Sequence, residues 1–83
     1  MTKEEVLDQV SNIIHDVLDE PDLPITFDTT ADDVEDWDSF NHINIVVATE
    51  NNFRVKINTA EVEELKNVGE LVDLVLRKMG SRK

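Results

Sequence analysis

Three times in this chain a Thr or Asn is followed three residues later by a Glu, just ahead of an apolar stripe of helical period. The pairs are Thr2 with Glu5, Asn58 with Glu61, and Asn67 with Glu70. In such a pair the first side chain accepts from a backbone amide of the first turn, and the Glu reaches back to the amide of the cap. A helix start leaves several amides without partners, so these pairs commit the chain to three helix starts. Behind Thr2, the residues Val6, Leu7, Val10, Ile13, Ile14, Val17 and Leu18 share one helical face. They predict a helix from about Thr2 to Leu18. Asn58 opens a short helix from about Thr59 to Leu65, containing Val62 and Leu65. Asn67 opens a last one, with Val68, Leu71, Val72, Val75 and Met79 on one face and Gly80 as its stop.

A fourth helix is predicted from about Ser39 to Asn52, with Asp38 or Ser39 as its cap. Its apolar residues form two stripes. Phe40, Ile43 and Val47 cluster on one side, and Ile45, Val46 and Phe53 on another, with Thr49 between them. A helix in a small bundle buries one face. The second stripe is then either core in a tighter arrangement or an exposed docking surface. Arg54-Val55-Lys56-Ile57 alternates like a strand but has no partner strand, so it reads as an extended connection. The expected fold is all-α: a small four-helix bundle of three longer helices and one short one, with a long loop between the first and second. At this length, residues 1–83 make a single domain.

Pro21 and Pro24 end helical order after the first helix. From Asp19 to Asp38 no period is sustained. A loop that long inside a small domain is uncommon and usually functional. It contains no Gly, and Leu23, Ile25, Phe27 and Val34 are spaced as anchors, so an ordered, packed loop is expected.

Charge narrows the function. The net charge is −11, and no Lys or Arg occurs between Lys3 and Arg54. Ten acids lie from Asp19 to Glu50, while four of the eight bases are Arg77, Lys78, Arg82 and Lys83. Nucleic acid is excluded as a partner class, because neutralising phosphates needs Lys and Arg. Partners with basic patches are favoured. No apolar run is long enough to span a membrane, and the charged amino terminus is not a secretory signal. A cytoplasmic monomer is expected. The chain has no Cys, so any thiol chemistry must be added to it. Calcium is not expected at the acids from Asp28 to Asp38, because they lack the central Gly and closing Glu of a calcium loop. No metal site or catalytic residue is assigned.

The residue that gathers these observations is Ser39, in Trp37-Asp38-Ser39-Phe40. Its hydroxyl stands at a helix mouth among carboxylates, with no base to activate it. It makes a poor catalyst and a good attachment point for a basic enzyme to find. Ser11 falls inside the first helix and Ser81 in the tail. Capping alone would also explain Asp38 and Ser39. Trp37 reads either as a mark of the docking surface or as a packing anchor. His42, one turn after Ser39, reads as a solvated or edge-of-core residue, with approach to a phosphate as the other reading. His15 has no marked partner.

The layout resembles the acyl carrier protein family. That family's attachment signature is Asp-Ser-Leu, opening the second of four helices after a long loop; here it is Asp38-Ser39-Phe40. The similarity continues through Ile43, Ala48, Glu50 and Phe53, the Val55-Lys56-Ile57 connection, the short helix, and Val68 to Val75. The resemblance implies that Ser39 receives 4′-phosphopantetheine from coenzyme A. It implies a phosphopantetheinyl transferase as partner, and acyl-transferring or acyl-activating enzymes with basic docking patches. Asp38, Phe40, Ile43, Asn44 and Val47 would form the partner surface. The protein would be a carrier of thioester-bound acyl groups in fatty-acid, polyketide or related lipid biosynthesis, and not an enzyme. Phe40 departs from the usual Leu. Asn41 and Asn44 stand where housekeeping fatty-acid carriers have acids, which points to a specialised member. Thr49 takes a usually apolar place. Two other readings compete. One is a peptidyl or aryl carrier, although the paired glycines usual there are Asp36 and Trp37 here. The other is an unmodified acidic helical adaptor.

Overall fold

The first capping pair closes in both directions. The Glu5 amide donates to Thr2 Oγ1 at 3.1 Å, and the Thr2 amide donates to Glu5 Oε1 at 2.8 Å. The backbone bond from Thr2 is the main cause that holds the Glu5 carboxyl below the ordinary carboxylate range. Behind this cap runs α1, Lys3–Leu18. Its face is the one the spacing predicts: Val6, Val10, Ile14 and Leu18 are buried, flanked by half-buried Leu7, Ile13 and Val17. The helix ends on Asp19 in the left-handed region at φ 55°. A side chain as short as Asp is among the few non-glycine ones that tolerate this conformation.

The computed structural model describes residues 2–80. After α1 come α2, Ser39–Phe53, α3, Thr59–Glu64, and α4, Val68–Gly80. No strand occurs among the described residues, which agrees with the all-α expectation. α1 packs against both α2 and α4. The shared core is made of Val6, Val10, Ile14, Ile45, Val68, Leu71, Val72 and Val75, each at most 2% exposed. Leu74 is buried too, although the single-face reading of α4 omits it. Gly80 is the last residue of α4 and has no left-handed backbone. The helix thus runs as far as the expected stop, and Ser81, Arg82 and Lys83 lie outside the described residues.

The second capping pair also closes both ways, between Asn58 and Glu61. Glu61 further accepts from Lys78 Nζ at 2.9 Å. This bond is the largest cause of a lowered Glu61 carboxyl pKa, followed by the backbone bond from Asn58. It ties α3 to α4. The extended connection before α3 has its own logic. Val55 and Ile57 are buried while Arg54 and Lys56 face outward, so the alternation comes from one-sided packing rather than from a sheet. Its backbone is fastened to α2, where Glu50 Oε2 accepts from the Ile57 amide at 2.8 Å.

The long loop is held at several points. His15 Nε2 donates to the Leu23 carbonyl at 2.6 Å, so His15 has a partner that its sequence context does not mark. Leu23, Ile25 and Phe27 pack half-buried against the core, and Val34 is buried. A 3-10 turn at Ala31–Asp33 interrupts the loop, and the Thr30 amide donates to Asp33 Oδ2 at 3.1 Å. The sequence held a signal for this turn, since Thr30 and Asp33 have cap-pair spacing. The loop then meets α4 edge-on. The Gly69 amide donates to the Phe27 carbonyl at 2.7 Å, and the Val68 amide to the Thr29 carbonyl at 2.8 Å. On the other side Asn67 Oδ1 accepts from the Glu70 amide. The return half of that third pair is not formed among the described residues.

Gly69 is required by this approach. A Cβ there would lie 2.8 Å from the Phe27 carbonyl oxygen. In an open helix Ala is favoured over Gly by about 1 kcal/mol. Here the clash, at about 1–3 kcal/mol for overpacking, is expected to win. Gly69→Ala should lower the urea midpoint, and amide exchange should rise first in the loop around Phe27 and Thr29.

Candidate functional site

Asp38, not Ser39, caps α2. Its backbone is extended and its Oδ1 accepts from the Asn41 amide at 2.8 Å, while its carbonyl accepts from the His42 amide at 2.8 Å. Asn41 Nδ2 closes the turn by donating to the Asp36 carbonyl at 2.8 Å. The cap therefore falls on Asp38, and the Ser39 side chain is left out of it. Ser39 is the first residue of the helix and is exposed.

Trp37 settles between its two readings as a packing anchor. It is 8% exposed, and its Nε1 donates to His42 Nδ1 at 3.1 Å. The two rings are tilted by 31° with centroids 6.1 Å apart. The indole N–H is a donor only, so this bond fixes Nδ1 of His42 as the acceptor. His42 is half-buried, an edge-of-core residue. Spacing alone did not mark this pair.

An open groove of about 620 Å³ begins at Ser39. Trp37, His42 and Ile43 line it from the α2 side, and Val62, Glu63 and Leu65 from the α3 side. A pocket of about 30 Å³ adjoins it, sharing Ala31, Trp37, His42 and Leu65 and adding Lys66, Asn67, Val68 and Leu71.

α2 divides as the two stripes predict. Ile45, Val46 and Phe53 are buried. Phe40 is 74% exposed, Ile43 51% and Val47 47%, and Asn44 is exposed beside them. Thr49 is fully buried, its hydroxyl donating to the Ile45 carbonyl at 2.7 Å. That bond lets a polar side chain occupy a core position without an unpaired group. Asp38, at the cap, and Ser39, Phe40, Ile43, Asn44 and Val47, on α2, are thus all accessible, while Ser11 lies within α1.

The comparisons with known proteins agree with this layout. The family described as phosphopantetheine attachment site matches residues 8–75. An acyl carrier protein from Acidothermus cellulolyticus is 36% identical over 75 residues, which is 90% of this chain and 89% of that protein. One from Petrotoga mobilis is 34% identical over 79 residues, 95% of this chain and 93% of that protein. The solution NMR structure of holo acyl carrier protein from Geobacter metallireducens aligns with a TM-score of 0.84 at 37% identity. That alignment covers 90% of this chain and 86% of the other. The chain belongs to the phosphopantetheine-binding acyl carrier protein family. The family's cofactor is covalently attached 4′-phosphopantetheine. The donor set here fits it: an exposed serine hydroxyl at a helix start, with an open groove beside it.

Because Asp38 supplies the cap oxygen, its charge and its capping role can be separated. Asp38→Ala should cost about 1 kcal/mol, in the usual range for losing a cap. Asp38→Asn keeps an acceptor at the same place and should stay close to the parent. Chemical denaturation of the three proteins side by side checks this.

Proposed function

We propose that Ser39 is the attachment residue, and that the protein shuttles acyl groups in fatty-acid, polyketide or related lipid biosynthesis. The observation that carries the reading is the freedom of the Ser39 side chain. The cap is made by Asp38, so the exposed hydroxyl is open to an incoming enzyme. When bound, the cofactor supplies the terminal thiol on which acyl groups are held as thioesters. This chain has no Cys of its own, so it brings position and recognition rather than reactive sulfur. The transferase provides the chemistry of loading, and the carrier is not a catalyst.

Recognition divides into charge and contact. Asp38 and the acids of the loop face enzymes with basic patches, and long-range attraction steers the encounter. Exposed charges are screened beyond about 8–10 Å at physiological ionic strength, so this part of binding weakens with salt. Phe40, Ile43 and Val47 supply a part that salt does not remove. Asn41 and Asn44 thin the charge on α2 and favour a specialised pathway over the housekeeping one. No described helix is long and apolar enough to cross a membrane; we place the protein in the cytoplasm, as a monomer.

Incubation with coenzyme A and a broad-specificity phosphopantetheinyl transferase should add one phosphopantetheine mass to the wild type and none to Ser39→Ala. Loading of Ser39→Ala would overturn the site. No loading of the wild type by several transferases would favour an unmodified adaptor.

The two stripes of α2 should separate by phenotype. Val47→Asp should leave the fold intact and slow a partner enzyme. Val46→Asp should unfold the domain, because an unpaired buried charge is among the most damaging single changes. Circular dichroism and loading kinetics on the two variants make the comparison, and reversed phenotypes would reject the assignment.

A further inference from the structure

We infer that His42 is a positioning residue: its Nε2–H donates to a phosphodiester oxygen of the group on Ser39, in the tautomer that Trp37 imposes. This rests on the attachment reading above.

The argument starts from the donor-only indole. Trp37 Nε1 donates to His42 Nδ1, so in the neutral ring the proton is on Nε2. Nε2 makes no hydrogen bond to any described residue. It also does not count among buried polar atoms left without a partner, so it is accessible from outside. His42 stands three residues after Ser39 on α2. Residues at that spacing are neighbours on a helix surface, with Cβ atoms about 5–6 Å apart. Both line the same groove.

Elimination then narrows the donors. A phosphodiester offers acceptors only. Of the residues lining the groove, Ala31, Ile43, Val62 and Leu65 have no polar side chain. Asp38 and Glu63 are carboxylates and bring negative charge, and the Trp37 N–H is spent on His42. The Ser39 oxygen is the one esterified. That leaves His42 as the side-chain donor. Lys66 lines the adjoining small pocket and not the groove. Backbone help is also reduced, since the Asn41 and His42 amides are both taken by Asp38. A donor from His42 offsets what a helix mouth already carrying a carboxylate lacks.

The test uses the full chain, loaded and unloaded, with loading verified by intact mass. Long-range proton–nitrogen correlations on ¹⁵N-histidine protein, at a pH where histidine is neutral, should show the Nε2–H tautomer in both forms. The loaded protein should also show a through-hydrogen-bond correlation between Nε2 and ³¹P. The ³¹P resonance should move in His42→Phe and stay near the parent in His42→Gln, whose amide N–H reaches to a similar place. Trp37→Phe should mix the tautomers and weaken the correlation. A purely structural His42 would not link nitrogen to phosphorus. An Nδ1–H tautomer in the wild type, or a ³¹P resonance unmoved by His42→Phe, would overturn the inference. If the Phe variant does not fold, the wild-type tautomer and correlation decide. A wild type that gains no mass removes the attachment reading and this inference with it; a loaded wild type without the correlation removes this inference alone.

Discussion

The hydrogen bonds from the Val68 and Gly69 amides to the carbonyls of Thr29 and Phe27 hold the rest of the structure in relation. The start of α4 needs partners for its first amides, and the loop needs a fixed course. Each meets the need of the other. With Phe27 and Thr29 pinned, the 3-10 turn follows at once, and Val34 and Trp37 are delivered into the core. Asp38 then arrives where it can cap α2. The position of Ser39 is thus the last link of a chain that begins at Gly69.

The loop is long but not loose. His15 holds its beginning through Leu23, half-buried Ile25 and Phe27 hold its middle, and the Trp37–His42 bond holds its end. Order here has a functional meaning. Under the proposed function, a modifying enzyme steered by charge would still have to reach one hydroxyl in one orientation. A mobile loop would blur both the acidic field and the start of α2. The loop also explains how so acidic a segment is tolerated. Its carboxylates are exposed, and two of them, Asp33 and Asp38, also accept from backbone amides.

α2 serves two ends at once. Ile45, Val46, Thr49 and Phe53 are its contribution to the core. The exposed Phe40, Ile43 and Val47 contribute little to the isolated fold. Such an exposed apolar stripe beside Ser39 fits the docking role proposed for it. The Asp38 cap keeps the two roles apart, because it secures the helix start without using the Ser39 hydroxyl.

What the sequence determined by itself was local. Cap pairs act over three residues and stripes over one or two turns, so Thr2 with Glu5, Asn58 with Glu61, and the divided face of α2 were all legible. The start of α2 at Ser39 was legible for the same reason, from Asp38 before it and the helical pattern after it. The tertiary structure decided what depends on chain closure. Nothing in the spacing joins Gly69 to Phe27 or His15 to Leu23. The choice between packing and docking for Trp37 also waited on burial. The 3-10 turn at Ala31–Asp33 lies between these cases, since its Thr30–Asp33 signal was local but no apolar stripe followed it. Local hydrogen bonds and periodicity are written into neighbouring residues. The partners of a loop are set only when the core has formed and its free backbone groups must pair with whatever packing brings near.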